Sequence, residues 1–278
     1  MKTLLVGCGE WGFRDLPMAE HFRIAGELGF RTMEIGIGGD RLGRLSPTMS
    51  AADIAAFKRL REQSGIATPF CCLENDFTQG DPNVAGILDQ IRLAKELDAT
   101  HVRLFAGFTP VARMTEMVWR GMLEAFMVCH ERCCDLQLVI AIETHGRITL
   151  RNGAARHQHT VSTDPASLRR LLWELPPNIG FNFDPGNLKA VAPDDRNFCL
   201  DLINDRINYC HLKDWRRLGD GWEAVAMGDD DLDYGALLPR LQFAGPYLIE
   251  YEPTADVTAG IRRSLDYLRR LGYELRFR

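Results

Sequence analysis

Four short segments of the sequence close an apolar run with a side chain able to bind a divalent metal ion. They are Ile140-Ala-Ile-Glu143, Phe181-Asn-Phe-Asp184, Tyr209-Cys-His211 and Leu248-Ile-Glu250, with successive donors 41, 27 and 39 residues apart. Carboxylates brought together repel and raise one another's proton affinity, and a shared dication removes that conflict. Three oxygens and one imidazole suit Mn2+, Mg2+, Co2+ or Zn2+, with coordination positions left for water or substrate. Each acid alone reads more readily as a helix cap or ion-pair partner; the ligand reading comes from four repeats of one pattern. His145, two residues past Glu143, is expected to face the same place and bond a substrate hydroxyl. Glu74 and Arg103 are expected pocket residues, and Trp11, Phe108 and Trp215 candidate apolar walls. Lys213 and Asp214 read as structural, pairing together or positioning the His211 loop, and Glu252 as an ion-pair partner.

For four such donors to meet, the elements carrying them must end at one place. Strand-like apolar runs recur at Thr3–Val6, Thr32–Ile37, Ala67–Leu73, His101–Phe105, Leu138–Ile142, Ile179–Phe183, Ile207–His211 and Tyr247–Ile249. Segments of helical period lie between and after them: Met18–Leu28, Ala52–Gly65, Val84–Leu97, Met114–Cys134, Pro165–Leu175, Asp195–Asp205, Tyr234–Phe243 and Ala259–Leu271. Strict alternation predicts parallel strands joined by crossover helices. Continuous apolar strands imply burial on both faces, and 278 residues suit a barrel of roughly 250. The expectation is a single (β/α)8 TIM barrel domain over 1–278, with all strand C-termini at one mouth. Asp164-Pro165 supplies a cap and a first-turn proline. The longest connection, the polar loop 146–163 with Arg147, Arg151, Arg156, His157 and His159, is expected to act as a lid.

Gly7, Gly9 and Gly12 match G-x-G-x-x-G after the first strand, with Glu34 about 20 residues on, as in dinucleotide-binding folds. That mechanism needs a helix opening inside the glycines, and Pro17 would break it. The helix is expected to start only near Leu16 or Pro17, with Asp15 as cap, leaving a flexible glycine loop and Glu34 as a polar strand end. No nicotinamide cofactor is therefore expected.

Composition narrows the partners. Apolar residues make up 46% and charged residues 26%, with net charge −5, so no general attraction to nucleic acid or anionic membranes is expected. The arginines at 262, 263, 269, 270, 276 and 278 read as a solvated face. No run reaches the ~20 apolar residues of a membrane span. Eight cysteines, two pairs adjacent in sequence, suit reduced thiols and a cytoplasmic setting.

The Asp184-Pro-Gly-Asn187 and His211-Leu-Lys-Asp214 segments, with Gly228-Asp-Asp-Asp-Leu-Asp-Tyr234 and Gly245-Pro-Tyr-Leu-Ile-Glu250, resemble the xylose isomerase-like superfamily of sugar phosphate isomerases and epimerases over nearly the whole chain. The resemblance implies a TIM barrel with Glu143, Asp184, His211 and Glu250 as metal ligands, and Glu143 and Glu250 exchanging the substrate proton. It also implies that Arg217, six residues after His211, holds substrate oxygens. Asn187 departs from the pattern: ketose epimerases of the group have a substrate-binding histidine there, and AP endonucleases a zinc ligand. A further Asp-x-His pair of the endonucleases is missing from 221–228, so DNA repair is not expected.

The resulting expectation is a metal-dependent isomerase or epimerase of a small carbohydrate, with manganese as the leading ion and a homo-oligomer compatible. The alternatives are a dehydratase or lyase on a keto-sugar, inosose or keto-acid, which shares the first proton abstraction, and a non-catalytic carbohydrate-binding barrel. The absence of a Gly-rich phosphate cradle late in the chain favours an unphosphorylated substrate.

Overall fold

A computed structural model describes residues 2–80 and 83–277. The first half runs β1 (Lys2–Cys8), α1 (Met18–Glu27), β2 (Thr32–Ile37), β3 (Arg44–Leu45), α2 (Ala51–Ser64), β4 (Ala67–Leu73), α3 (Val84–Glu96), β5 (His101–Leu104) and α4 (Glu116–Asp135). Next come β6 (Val139–Glu143), β7 (Arg147–Arg151), β8 (Ala154–Gln158), α5 (Pro165–Glu174), β9 (Gly180–Phe183), α6 (Pro185–Val191) and α7 (Leu200–Ile203). The chain ends with β10 (Ile207–Leu212), β11 (Asp214–Leu218), β12 (Gly221–Val225), α8 (Tyr234–Leu237), β13 (Tyr247–Ile249), α9 (Val257–Arg270) and β14 (Tyr273–Phe277).

Eight of these strands close a parallel barrel in the order β1-β2-β4-β5-β6-β9-β10-β13, with β13 returning to β1 at Val6↔Tyr247. This is the (β/α)8 TIM barrel, and all eight expected strands are in it. Every residue of β2, β9 and β13 is buried, which is why these strands read as continuous apolar runs. Outside, the helices start where capping chemistry allows. Ser50 and Asp53 form a capping box on α2, and Gly65 ends it in the left-handed region at φ 64°. Asp164 caps α5 ahead of Pro165. The arginines of α9 at 262, 263, 269 and 270 are exposed, as expected. Among the described residues no helix is long and apolar enough to cross a membrane.

The elements outside the barrel strands depart from the sequence reading in four places. The helix expected over Asp195–Asp205 is reduced to Leu200–Ile203 and one 3-10 turn, because Phe198 and Cys199 take φ of 54° and 55° and break the helical path. The helix expected over Tyr234–Phe243 shortens to Tyr234–Leu237 and a 3-10 turn containing Pro239. In their place α6 starts directly after Asp184, from the same Asp-Pro start signal as α5. Beyond α9, β14 pairs in parallel with β1 from Lys2↔Tyr273 to Val6↔Phe277, and Phe277 packs edge-on against Phe30 at 5.4 Å.

The polar segment 146–163 holds a β7–β8 hairpin turned at Asn152 and Gly153, both at positive φ. A second hairpin, β11–β12, follows β10 directly. The two join at Trp222↔Ala155 into a four-stranded antiparallel sheet, and an Arg156–Asp220 ion pair crosses between them. Ala155, Ala190, Trp215 and Trp222 form its small core.

The glycines after β1 form neither a flexible loop nor a phosphate cradle. A Cβ on Gly7 would stand 2.5 Å from Leu248, and one on Gly12 would strike the Tyr251 carbonyl, so Gly7 admits β13 and Gly12 the segment after it at close range. Helix α1 begins only at Met18, after Pro17 and without a side-chain cap; Asp15 instead pairs with Arg41 at 3.4 Å.

Candidate metal centre

Along a strand, residues two apart share a face. Ala141, Tyr209 and Leu248, with Phe70, form a separate apolar cluster among the buried residues. Two residues on from the first three stand Glu143, His211 and Glu250, so the same faces that close the barrel interior with carbon present donors one pleat higher. Asp184 joins them from the turn between β9 and α6. Its Oδ1 accepts from the Asn187 backbone N–H at 2.9 Å, capping α6, and its Oδ2 faces His211 Nδ1 at 3.9 Å. One residue thus supplies both the cap and a donor.

Glu143, Asp184, His211 and Glu250 each offer one ligand atom, all within 4.8 Å of one another, and all four side chains are buried. His211 Nδ1 lies 3.8 Å from Glu143 Oε1 and 3.4 Å from Glu250 Oε1. Its Nε2 faces Glu34 Oε1 at 3.4 Å, an arrangement in which an outer carboxylate orients a metal-binding imidazole. Asn182 Nδ2 stands 3.3 Å from Nδ1. Glu34 is no peripheral strand end: it accepts from Arg103 Nε at 2.9 Å, Tyr209 Oη at 2.5 Å and the Glu10 backbone N–H at 3.2 Å.

Charge balance tests whether a cation fits. Among buried residues, the carboxylates of Glu10, Glu34, Glu143, Asp184, Asp214 and Glu250 outnumber the cations of Arg44, Arg103, Lys189 and Lys213. Arg44 is committed to Glu10 at 2.5 Å, and Arg103 to Glu34 and Glu143. Lys213 Nζ stands 2.8 Å from Glu250 and from Glu252 and 3.4 Å from Asp184. Burial would raise the Glu250 carboxyl, yet His211, Lys213 and Arg103 draw it down to about 2. For Asp184 burial prevails, assisted by Glu250, and its proton affinity rises. Burial opposes a charged His211, but Glu250 and Glu34 outweigh it and hold the imidazole above its ordinary value. Asp184 and His211 therefore draw protons where a cation would replace them, and the chemistry of the donor set fits a hard or borderline divalent ion.

The other expected site residues scatter around this centre. Asn187 is buried, donates to Asp184 Oδ2 at 3.0 Å and Glu143 Oε1 at 3.4 Å, and keeps an unpartnered Oδ1. His145 packs edge-on against Phe105 and Phe108 at 5.3 and 5.4 Å; its Nδ1 is buried with no hydrogen-bond partner among the described residues, and burial keeps the ring neutral. Arg217 is exposed on β11, its guanidinium 5.0 Å over Trp222. Arg103 lies inside the barrel, whereas Glu74 is exposed at a cleft of about 430 Å³ lined also by Asn75 and Phe108. Lys213 and Asp214 do not pair with each other. Lys213 enters the carboxylate cluster, while Asp214 binds buried Lys189 at 2.8 Å. Lys189 also reaches Asp230 and Asp231 at 2.6 and 2.9 Å, which explains the acidic turn beginning at Gly228.

Sequence reasoning passed over Glu10, Arg44, Tyr209 and Lys189. Tyr209 carried a usable signal, since it lies two residues before His211 and must share its face. Lys189 did not: a lysine four residues into a helix reads as solvent-facing until α6 is known to be buried.

Fold and centre together define a (β/α)8 barrel with a carboxylate–imidazole cluster at its mouth. The chain belongs to the xylose isomerase-like TIM barrel family, whose profile matches residues 22–271. No curated protein matches the sequence. Solved structures do resemble it. D-allulose 3-epimerase from Methylomonas sp., in complex with D-allulose, has a TM-score of 0.72 at 16% identity, covering 97% of this chain and 98% of that one. The probable 3-DHS dehydratase AsbF from Bacillus anthracis gives 0.72 at 16%, covering 97% and 99%. A xylose isomerase-like TIM barrel protein from Mycobacterium smegmatis, in complex with magnesium, gives 0.72 at 16%, covering 98% of each. At such identities the likeness establishes the fold.

Proposed function

We propose that this chain is a divalent-metal-dependent isomerase or epimerase of a small, unphosphorylated ketose or related sugar, with manganese as the leading ion. The observation that carries this reading is the convergence of two glutamates, an aspartate and a histidine from four strand ends within 4.8 Å, buried at the barrel mouth. Glu143, Asp184, His211 and Glu250 would hold the ion. When bound, it supplies Lewis acidity that stabilises negative charge building on a substrate carbonyl and its adjacent hydroxyl.

The chain's own groups supply the proton chemistry. Glu143 and Glu250 are the base and its counterpart: one removes the proton α to the carbonyl, the other returns a proton from the opposite side. Each has its own cation, Arg103 on Glu143 and Lys213 on Glu250, so each keeps a polar partner in both protonation states. His145 and Asn187, with buried unpartnered atoms beside the cluster, are suited to substrate hydroxyls. In this reading Arg217 serves from the hairpin surface. The sheet built from β7, β8, β11 and β12 keeps bulk water from the intermediate.

Glu143→Gln and Glu250→Gln, which keep shape and remove the base, should each abolish solvent-deuterium uptake into substrate with the circular dichroism spectrum unchanged. Full exchange in both variants defeats the reading. A second reading, dehydration of a keto-sugar or keto-acid, begins with the same proton abstraction and is favoured by the likeness to a probable dehydratase; enone absorbance on turnover would select it.

A further inference from the structure

The four-stranded sheet beside the metal centre carries buried polar atoms with no hydrogen-bond partner among the described residues. Nδ1 and Nε2 of His157, on β8, are both buried without a hydrogen-bond partner among the described residues, and so is Nε1 of Trp215, on β11. The two rings meet edge-on with centroids 4.7 Å apart, so the orphaned atoms belong to one spot where the two hairpins join. The Trp215 ring lies 5.7 Å from Lys213 Nζ, which itself touches Glu250 and Asp184, so this spot adjoins the metal centre. Buried polar groups are normally paired, and a set left unpaired beside a metal centre is the mark of a ligand's place.

We propose that His157 and Trp215 form a second recognition point, in the roof, for uncharged hydroxyls on the part of the substrate remote from the reacting carbons, selecting a long-chain unphosphorylated ketose over a three-carbon hydroxyketone. This rests on the function proposed above and deepens it. The chemistry follows from the atoms. Burial, aided by Lys213, holds His157 neutral, so its ring offers one donor and one acceptor, and the indole adds a donor. A hydroxyl, itself donor and acceptor, matches that set, whereas the two rings themselves offer a phosphate or carboxylate no charge. Lys213 is committed to Asp184, Glu250 and Glu252, and Arg156, beside His157, to Asp220.

The test is calorimetric binding to the Mn2+-loaded protein, comparing D-ketohexoses, their phosphate esters and dihydroxyacetone. His157→Phe and Trp215→Phe should weaken ketohexose binding by about tenfold or more, the loss expected when a buried partner is withdrawn. Both should leave dihydroxyacetone within about twofold and the metal stoichiometry unchanged. His157→Gln, which keeps a donor and an acceptor, should recover part of the loss. Equal ketohexose binding by wild type and both Phe variants, equal losses for dihydroxyacetone, tighter binding of the phosphate esters, or no ketohexose binding by wild type each overturns the proposal. Deuterium uptake is read separately. Ketohexose binding that depends on His157 without proton exchange would sink the isomerase reading and leave the roof assignment standing.

Discussion

At the scale of single residues, the centre is a lesson in how buried charge is tolerated. Glu143, Asp184 and Glu250 survive desolvation because each has a specific partner: Arg103, the α6 N-terminus and Lys213. His145 and His157 behave in the opposite way, remaining neutral because burial and the nearby Lys213 disfavour the charged ring, whereas Glu250 and Glu34 hold His211 up. His157 is drawn from its ordinary 6.5 down to about 3, by burial first and Lys213 second. The sign follows directly. Below pH 6.5 the unfolded chain takes up a proton that the folded ring refuses until about pH 3, so stability falls as the pH drops through that window. The slope from this group is up to about 1.4 kcal/mol per pH unit. Urea titrations between pH 7 and 4 should therefore show a shallower pH dependence for His157→Phe than for wild type; identical slopes would contradict the shift.

At the scale of elements, short local signals decide where donors stand. An Asp-Pro pair starts both α5 and α6, but only at α6 does the capping aspartate also face a strand-end cluster, because α6 follows β9 with no intervening loop. Lys189 on the buried side of α6 then ties together the start of β11 and the acidic turn through Asp214, Asp230 and Asp231. Burial would lower this lysine's proton affinity, but Asp214 and the bonds to the turn raise it. Asp214 responds more to burial than to Lys189 and rises to about 6. Lys189→Met strands a buried Asp214 and is expected to cost about 3 kcal/mol, visible as a lowered urea midpoint at unchanged m-value. An unchanged midpoint would mean that the aspartates find water instead. The two hairpins of the roof meet through one register pair, Trp222↔Ala155, one ion pair, the His157–Trp215 ring contact and a small shared core.

At the scale of the whole molecule, barrel closure brings residues over a hundred positions apart onto one point. Closure also leaves a surplus of buried carboxylates over buried cations. Binding a dication there should stabilise the fold by mass action, by about 4 kcal/mol at a thousandfold excess over its dissociation constant. Melting in EDTA and then in graded Mn2+ measures this. The melting temperature should climb with the logarithm of metal concentration, and Asp184→Asn should flatten the climb. A melting temperature indifferent to metal would remove the cation from the account.

The sequence by itself determined the eightfold alternation, the strand faces and the four donors, because hydrophobic period and strand ends are local properties written residue by residue. Asn187, His145 and Arg103 were also named from the sequence, each lying within a few residues of a strand end. What only the tertiary structure decided was who faces whom. Lys213 and Asp214 part company, Glu34 moves from strand end to the centre of a network, and a loop expected to be polar folds into half of a sheet. A pairing across the barrel depends on strand register, helix length and the order in which loops stack, which no local window contains. The roof illustrates this most clearly: His157 and Trp215 lie in segments separated by two barrel strands, and only folding puts their unpaired atoms together.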